Sequence, residues 1–478
     1  MYLGLDLGTS GVKALLMDAD QSVLAAAVAP LGVQRPRPGW SEQRPADWVA
    51  ATSAVMDQLA AAHDLSGVQG IGLSGQMHGA VCIDKAGDVL RPAILWNDTR
   101  AHAEAAALDA DPRFRATTGN IVFPGFTAPK IVWMRAHEPA LADRIAMVLL
   151  PKDYLRLWLS GEAVSEMSDA AGTAWLDVAG RDWSDDLLAA TGLGRAQMPL
   201  LVEGSAISAT LRDDLAARWG LAKGVPIAGG GGDNAASAIG MGVVAEGQAF
   251  VSLGTSGVLF VANDGYRPAP ETAVHSFCHA LPDTWHQMGV ILSATDSLNW
   301  FAGLVGCSPA DLTGGLGPLQ PPGATQFLPY LGGERTPLNS ADIRGAFLGL
   351  AHATDRAAAT RAVLEGVTFA LADCRDAIHA TGTRFDHLIA VGGGSQSDYW
   401  LSAIATALDM PVARPGAGDF GAAFGAARLA MLAVIGDRAA ITQPAIDRVF
   451  TPDRRLADAF ATAHARHKTA IQAILELS

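Results

Sequence analysis

Apolar and polar positions along the chain switch repeatedly between a period of two and a helical period, which predicts strands alternating with helices. From Met1 to about Leu31, short apolar runs are broken at Gly8-Thr9-Ser10-Gly11 and at Asp18-Ala19-Asp20, the pattern of an antiparallel three-strand meander. Pro45 to Ala62 changes to helical spacing. Val68 to Leu73 is an apolar strand ending in Ser74-Gly75-Gln76-Met77-His78-Gly79, and Ala80 to Asp84 reads as another strand. Loops at strand ends are common ligand sites in α/β folds. Helical spacing fills much of Ala101 to Trp158, with Pro124-Gly125 and Pro129 marking a bend.

Pro226 to Gly229 predicts a short buried strand that opens into Gly230-Gly231-Gly232-Asp233-Asn234 and the small-residue helix Ala235 to Met241. The scheme then recurs. A hairpin spans 249 to 261, a helix Ala357 to His379, and a strand Leu388 to Val391 that enters Gly392-Gly393-Gly394-Ser395 before another helix. Gly416 to Gly421 leads into the Ala-rich helix Ala422 to Ile435. Strand-to-glycine-to-helix junctions of this kind are natural anion or nucleotide sites.

The recurrence is literal at one place. Leu5-Asp6-Leu7-Gly8-Thr9-Ser10-Gly11-Val12 and Val251-Ser252-Leu253-Gly254-Thr255-Ser256-Gly257-Val258 are identical at six of eight positions and lie 246 residues apart. Each reads as a hairpin whose tip offers backbone N–H groups and two hydroxyls to a phosphate. Two such tips imply two similar halves, 1–245 and 246–478, facing one nucleotide across a cleft. Where the first copy has Asp6 the second has Ser252, so only the N-terminal half places a carboxylate beside the phosphates, as a magnesium site requires.

Composition narrows the choice further. The 478 residues suffice for two large cores, and half of them are hydrophobic while 17% are charged, as in a globular enzyme. A net charge of −14 argues against nucleic acid and anionic membranes, since no basic surplus exists to replace their counterions. A strand follows Met1 almost at once, with no room for a signal sequence, and no apolar run is long enough for a bilayer, so the expected location is cytoplasmic. Cys82, Cys278, Cys307 and Cys374 have neither disulfide nor metal spacing.

Four segments carry candidate chemistry. Gly229-Gly230-Gly231-Gly232-Asp233-Asn234 sets Asp233 as the only charge among small residues; it reads either as a helix N-cap or as a general base that takes a proton from an attacking hydroxyl. Its glycines are expected to let backbone approach a ligand. Lys13, two residues after Gly11, is within reach of a phosphate, and the Gly392-Gly393-Gly394 turn suits an adenosine. No P-loop pattern is present. Trp40-Ser41-Glu42-Gln43 and Trp96-Asn97-Asp98-Thr99-Arg100 combine aromatic and polar groups that suit a sugar, or equally a protein surface. His275, Cys278 and His279 sit among Val274, Phe277 and Ala280, which suits core or turn packing better than zinc.

Together these strings, with Phe126-Thr127-Ala128-Pro129-Lys130 and Leu150-Pro151-Lys152-Asp153-Tyr154, resemble the FGGY carbohydrate kinases, the sugar-kinase branch of the actin-like ATPases, essentially end to end. The resemblance implies an α/β fold of two ribonuclease-H-like domains, each a mixed sheet flanked by helices, with ATP and Mg2+ in the cleft between them. It implies Asp233 as catalytic base and Asp6 as the metal-linked carboxylate. Gly8, Thr9, Ser10, Lys13, Gly254, Thr255, Gly392, Gly393 and Gly394 would hold ATP, and Met77, His78, Asn234 and Trp96 the sugar. Glycerol-phosphorylating members carry Arg-Glu at the Met77-His78 position, so a ketose, D-xylulose phosphorylated at O5, is the implied substrate, with D-ribulose or L-ribulose as alternatives. A homodimer is common among such kinases. The competing class is an actin-like or chaperone-like assembly ATPase, which would share both phosphate hairpins but not the sugar loop.

Overall fold

The computed structural model describes residues 1–416, 418 and 420–476; Ala417 and Asp419, within the glycine-rich segment before the last long Ala-rich helix, lie outside the described residues. The predicted meander is present. Tyr2–Leu7 pairs antiparallel with Gly11–Met17, which pairs antiparallel with Val23–Pro30. Gly70–Gly75 then adds parallel to Tyr2–Leu7, Pro226–Ala228 adds parallel to Gly70–Gly75, and Ile207–Thr210 closes the edge antiparallel.

The second sheet repeats this order. Ala249–Leu253 and Gly257–Asn263 form the hairpin, Trp285–Ile291 completes the meander, Leu388–Val391 and Val412–Pro415 add in parallel, and Ile446–Phe450 is the antiparallel edge. His275–Cys278 extends the far side. The edge strand precedes its neighbour in the chain in the first sheet and follows it in the second, so the two halves are alike in layout without being copies.

The helices follow their apolar stripes. Pro45–Ala62 buries Trp48, Ala51, Thr52, Val55, Met56 and Leu59, one face at i, i+3, i+4 and i+7 spacing. Arg356–Ala380 is capped by the Asp355 side chain, which accepts from Ala358 N at 2.7 Å, and is buried along most of its length. In one region the outcome differs from the pattern. The helical stretch 101–158 is interrupted by the strand Met147–Leu149, which pairs with Val81–Ile83, so that expected second strand after the His78 loop joins a small separate sheet.

The helix Ala422–Ile435 belongs to the C-terminal half of the sequence yet lies on the first sheet and crosses the helix Asp233–Gly240. Small residues permit the approach. A methyl group on Gly72 would lie 1.8 Å from Ala426 O, and one on Gly425 would lie 1.7 Å from Ala236 O. Backbone therefore meets backbone with no side chain between. A shared core continues across the halves, where Phe250, Phe260 and Phe277 join Phe114, Phe126, Trp133, Trp175, Ala238 and Met241.

This contact predicts a sharp steric sensitivity. Gly425→Leu should lower unfolding free energy by about 3 kcal/mol or more, because overpacking here can be relieved only by separating two helices. Chemical denaturation read by tryptophan fluorescence measures it, with Ala433→Leu, on the same helix, as the control.

Candidate active site

The first hairpin tip is tied to the strand-end loop by side-chain amides. Gln43 Nε2 donates to Thr9 O at 2.8 Å, Gln76 Nε2 donates to Gln43 Oε1 at 3.0 Å, and Thr9 Oγ1 donates to Gln76 Oε1 at 3.1 Å. Trp96 Nε1 donates to Thr9 Oγ1 at 3.0 Å, so the exposed Trp96 borders the tip. Leu31 N donates to Ser10 O at 2.9 Å. The tip's carbonyls are thus held by the protein, and Ser10 is exposed. Asp6 and Lys13 face each other across the hairpin as register partners.

The two tryptophan-containing strings converge into a structural brace. Ser41 N donates to Asp98 Oδ2 at 2.6 Å, Arg100 pairs with Asp98 and Glu42, and the Arg100 guanidinium lies 3.5 Å over the Trp40 ring. Only Trp96 and Gln43 of these strings reach the phosphate tip.

Asp233 opens the helix Asp233–Gly240, but Gly232 holds the N-cap position and no side chain caps the helix. The carboxylate instead accepts from Asn234 N at 2.8 Å and Asn234 Nδ2 at 3.0 Å. Burial raises its pKa to about 7; the Asp6 carboxylate adds to the rise and the Asn234 hydrogen bonds oppose it. Two carboxylates, Asp233 and Asp6, therefore face one region from two strands' ends. The glycines before Asp233 serve a different purpose from the expected one. Gly230 has φ +82° and a methyl there would lie 2.1 Å from Leu73 O, so it fits protein backbone against the neighbouring strand rather than a ligand.

Beneath this loop lies a fully buried charge network on the helix Pro151–Ser160. Arg156 Nη1 donates to Ala228 O at 2.6 Å, and its other terminal nitrogen donates to Gly229 O. Lys152 Nζ lies 2.5 Å from Asp153 Oδ1, 3.6 Å from Glu166 Oε1 and 3.5 Å from Asp169 Oδ2. Burial alone would lower the Lys152 pKa, but the three carboxylates outweigh it and raise it. Ser168 joins the network to the loop: its hydroxyl donates to Glu166 and accepts from Gly232 N at 3.1 Å. One helix thus fixes the backbone on which Asp233 stands.

In the loop after the strand Gly70–Gly75, Met77 is buried against Gly232, and His78 adopts φ +68°. The His78 Nδ1–H donates to Gly172 O at 2.6 Å, and the ring stacks on Phe126 at 4.7 Å. Burial drops its pKa to about 3, with Lys130 and Arg335 adding to the fall, so the ring is neutral and Nε2 is an acceptor. Lys130 Nζ donates to His78 O at 2.8 Å and to Gly125 O at 2.7 Å. His275 lies against Phe123 and Phe126, while Cys278 contacts Val178 O and His279 contacts Val243 O, so the three do not converge on a metal.

A cleft of about 980 Å³ continues from Asn234 to Ser252, Gly392, Gln396, Arg414 and Gly421. Gly392 has φ +88° and packs where a methyl would lie 2.6 Å from Leu253 O, while around Gly393 the space is open. The second hairpin tip is anchored through its carbonyls: Gly254 O accepts from Thr295 N at 2.9 Å and Thr255 O from Ala294 N at 2.8 Å. Thr255 remains exposed.

Arg156 and Ser168 were not singled out from sequence, and Gln43 and Lys130 were named only within longer strings, without these contacts. A lone polar residue inside an apolar segment is a weak signal, and their partners lie 34 to 73 residues away.

Residues 1–240 match the N-terminal domain model of the FGGY family of carbohydrate kinases, and residues 249–434 match the C-terminal domain model. The chain is 47% identical over 483 residues to the xylulose kinase of Escherichia coli strain K12, covering 100% of both. A crystal structure of a xyloylose kinase from Brucella ovis superposes with TM-score 0.99 at 59% identity, covering 100% of both chains. The xylulose kinase of Rhodospirillum rubrum superposes with TM-score 0.93 at 28% identity, covering 100% of this chain and 99% of that one.

Removing the cation at the centre of the buried network should be costly. Lys152→Met leaves three carboxylates around an uncharged side chain, and urea unfolding should show a loss of about 3–5 kcal/mol at pH 8. The loss should shrink as pH falls and Asp169 and Glu166 take up protons, because burial already raises both.

Proposed function

The chain belongs to the FGGY family of carbohydrate kinases, with two domains of the actin-like ATPase fold, and on that premise we propose that it transfers the γ-phosphoryl group of ATP to O5 of D-xylulose. One observation carries the reading most directly. The carboxyl of Asp233, raised to about 7, stands beside Asn234, which lines the large cleft, and within the field of Asp6. A base poised near neutrality at the junction of a nucleotide cleft and a sugar-side loop suits proton removal from an attacking hydroxyl.

In this reading residues 1–245 hold the sugar and the first phosphate tip, and residues 246–478 hold the second tip and the adenosine. Met77, His78, Asn234 and Trp96 line the sugar, with His78 Nε2 accepting from a sugar hydroxyl. Asp233 takes the O5 proton as that oxygen forms its bond to the γ-phosphorus and the bond to the ADP oxygen breaks. Gly8, Thr9 and Ser10 from one side and Gly254 and Thr255 from the other bracket the phosphates, Lys13 adds positive charge, and Gly392, Gly393 and Gly394 leave room for the adenosine. Asp6 and Asp233, two mutually repelling carboxylates, fit a divalent cation, and Asp6 would hold Mg2+. Bound Mg2+ would offset charge on the phosphate oxygens. Substrate choice is supported by full-length likeness to named xylulose kinases and by the neutral Met77-His78 pair.

Asp233→Asn should lower kcat by about 10²–10⁴-fold while ATP still binds, measured by coupled ADP release and by calorimetry. In the wild type, kcat/KM for sugar should rise with pH up to about 7 and level off above it, because the base acts ionised. The same raised pKa makes ionised Asp233 unfavourable to the free fold, so Asp233→Asn should be more stable than wild type above pH 7 and equal to it below about pH 4. ADP release with D-xylulose, D-ribulose, L-ribulose and glycerol, against a control without sugar, tests the substrate. Preference for another ketose would replace D-xylulose, and sugar-independent hydrolysis would favour an assembly ATPase.

A further inference from the structure

Arg335 brings a guanidinium from the C-terminal half to the sugar-side aromatic cluster of the N-terminal half. Its neighbours in sequence explain how. Glu334 Oε1 accepts from Leu292 N at 2.9 Å, and Thr336 binds both Val290, through its N–H to O at 3.0 Å, and Ala273 O, through Oγ1 at 2.9 Å. Both flanking residues are buried and pinned to the second sheet. The side chain between them instead lies with its guanidinium carbon 4.5 Å from the Phe123 ring centroid, and Phe123 packs at 5.7 Å on Phe126, the ring that stacks on His78.

The guanidinium is little used by the protein. Among the described residues it makes no ion pair, and its one side-chain hydrogen bond is a long contact of 3.4 Å to His275 Nε2. Its charge is felt at His78 and His275, whose protonation it disfavours. Other donors on the sugar side are committed: His78 Nδ1–H to Gly172 O, Lys130 to His78 O and Gly125 O, Trp96 to Thr9, and the Asn234 amide to Asp233. A five-donor cation with a nearly empty hydrogen-bonding complement stands out against that background.

The chemistry of the acceptor supplies the other half of the argument, which rests on the pentulose-kinase reading above. A pentulose closes its furanose ring through O5, so O5 can attack phosphorus only in the open-chain form, and that form carries a free carbonyl at C2. A carbonyl oxygen only accepts hydrogen bonds, and His78 Nε2 cannot donate to it. We propose that Arg335 is the specificity-determining residue that donates to the C2 carbonyl of the open-chain ketose. It thereby separates ketoses from the pentitols that share their carbon skeleton. Because Arg335 comes from the C-terminal half, it also makes sugar recognition depend on both halves being in place.

The test compares D-xylulose with xylitol, which has a hydroxyl where the ketose has its carbonyl. Dissociation constants by calorimetry and steady-state constants are measured for wild type, Arg335→Met and Arg335→Lys. Arg335→Met should weaken D-xylulose about 10–100-fold, change xylitol by less than about 3-fold, and leave the ATP KM unchanged, with Arg335→Lys recovering part of the ketose preference. An equal loss for both sugars, or an unchanged affinity for D-xylulose, would overturn the proposal. If Arg335→Met does not fold cooperatively, Arg335→Leu, which likewise removes every side-chain donor, takes its place with the same outcomes. Wild-type turnover keeps the two readings apart: preference for another ketose moves the comparison to that ketose and its pentitol, whereas no sugar-dependent turnover removes both.

Discussion

The active-site geometry depends on the close crossing of the helices Asp233–Gly240 and Ala422–Ile435. Gly425 lies so near Ala236 O that no side chain fits between them, and the second helix rests on the first sheet by the same means at Gly72. The helix that opens with Asp233 is therefore packed directly on a helix of the other half, which itself lies on the first sheet. Small residues make this crossing rigid, since backbones in contact have no rotamers through which to yield.

Electrostatics complete the placement. Lys152 and Arg156, one turn apart on the helix Pro151–Ser160, are buried, and each answers a different demand. Arg156 satisfies the carbonyls of Ala228 and Gly229, and Lys152 holds Asp153, Glu166 and Asp169 together. Such a network contributes little net stability over an apolar core, but it has essentially one low-energy arrangement, which suits a loop that must present a carboxylate accurately. Above it, Asp233 pairs with no cation among the described residues, and burial together with Asp6 raises its pKa to about 7. A neutralised layer beneath an un-neutralised carboxylate is the arrangement that the proposed base requires.

The proposed sugar side shows the same economy with a different result. Neutral His78 accepts, Met77 and Phe126 supply apolar surface, and the nearby cations are tied to carbonyls, except for Arg335. Function in this fold thus follows from which polar groups the protein satisfies and which it leaves for a ligand.

Much of this was legible in the sequence. The two Gly-Thr-Ser-Gly hairpins, the helices at 45–62 and 422–435, and the glycine-rich turn at 392 appear where local patterns put them, because alternation, turn chemistry and helix periodicity act over a few residues. The sequence by itself also marked Asp6, Asp233, Met77 and His78 through short strings. It did not reveal that the 422–435 helix would lie on the sheet of the other half, that Lys152 and Arg156 would brace the base loop, or that Arg335 would reach Phe123. Those outcomes belong to the tertiary structure. Burying a charge or bringing two backbones into contact requires partners far away in the chain, and only the completed topology determines which partners those are.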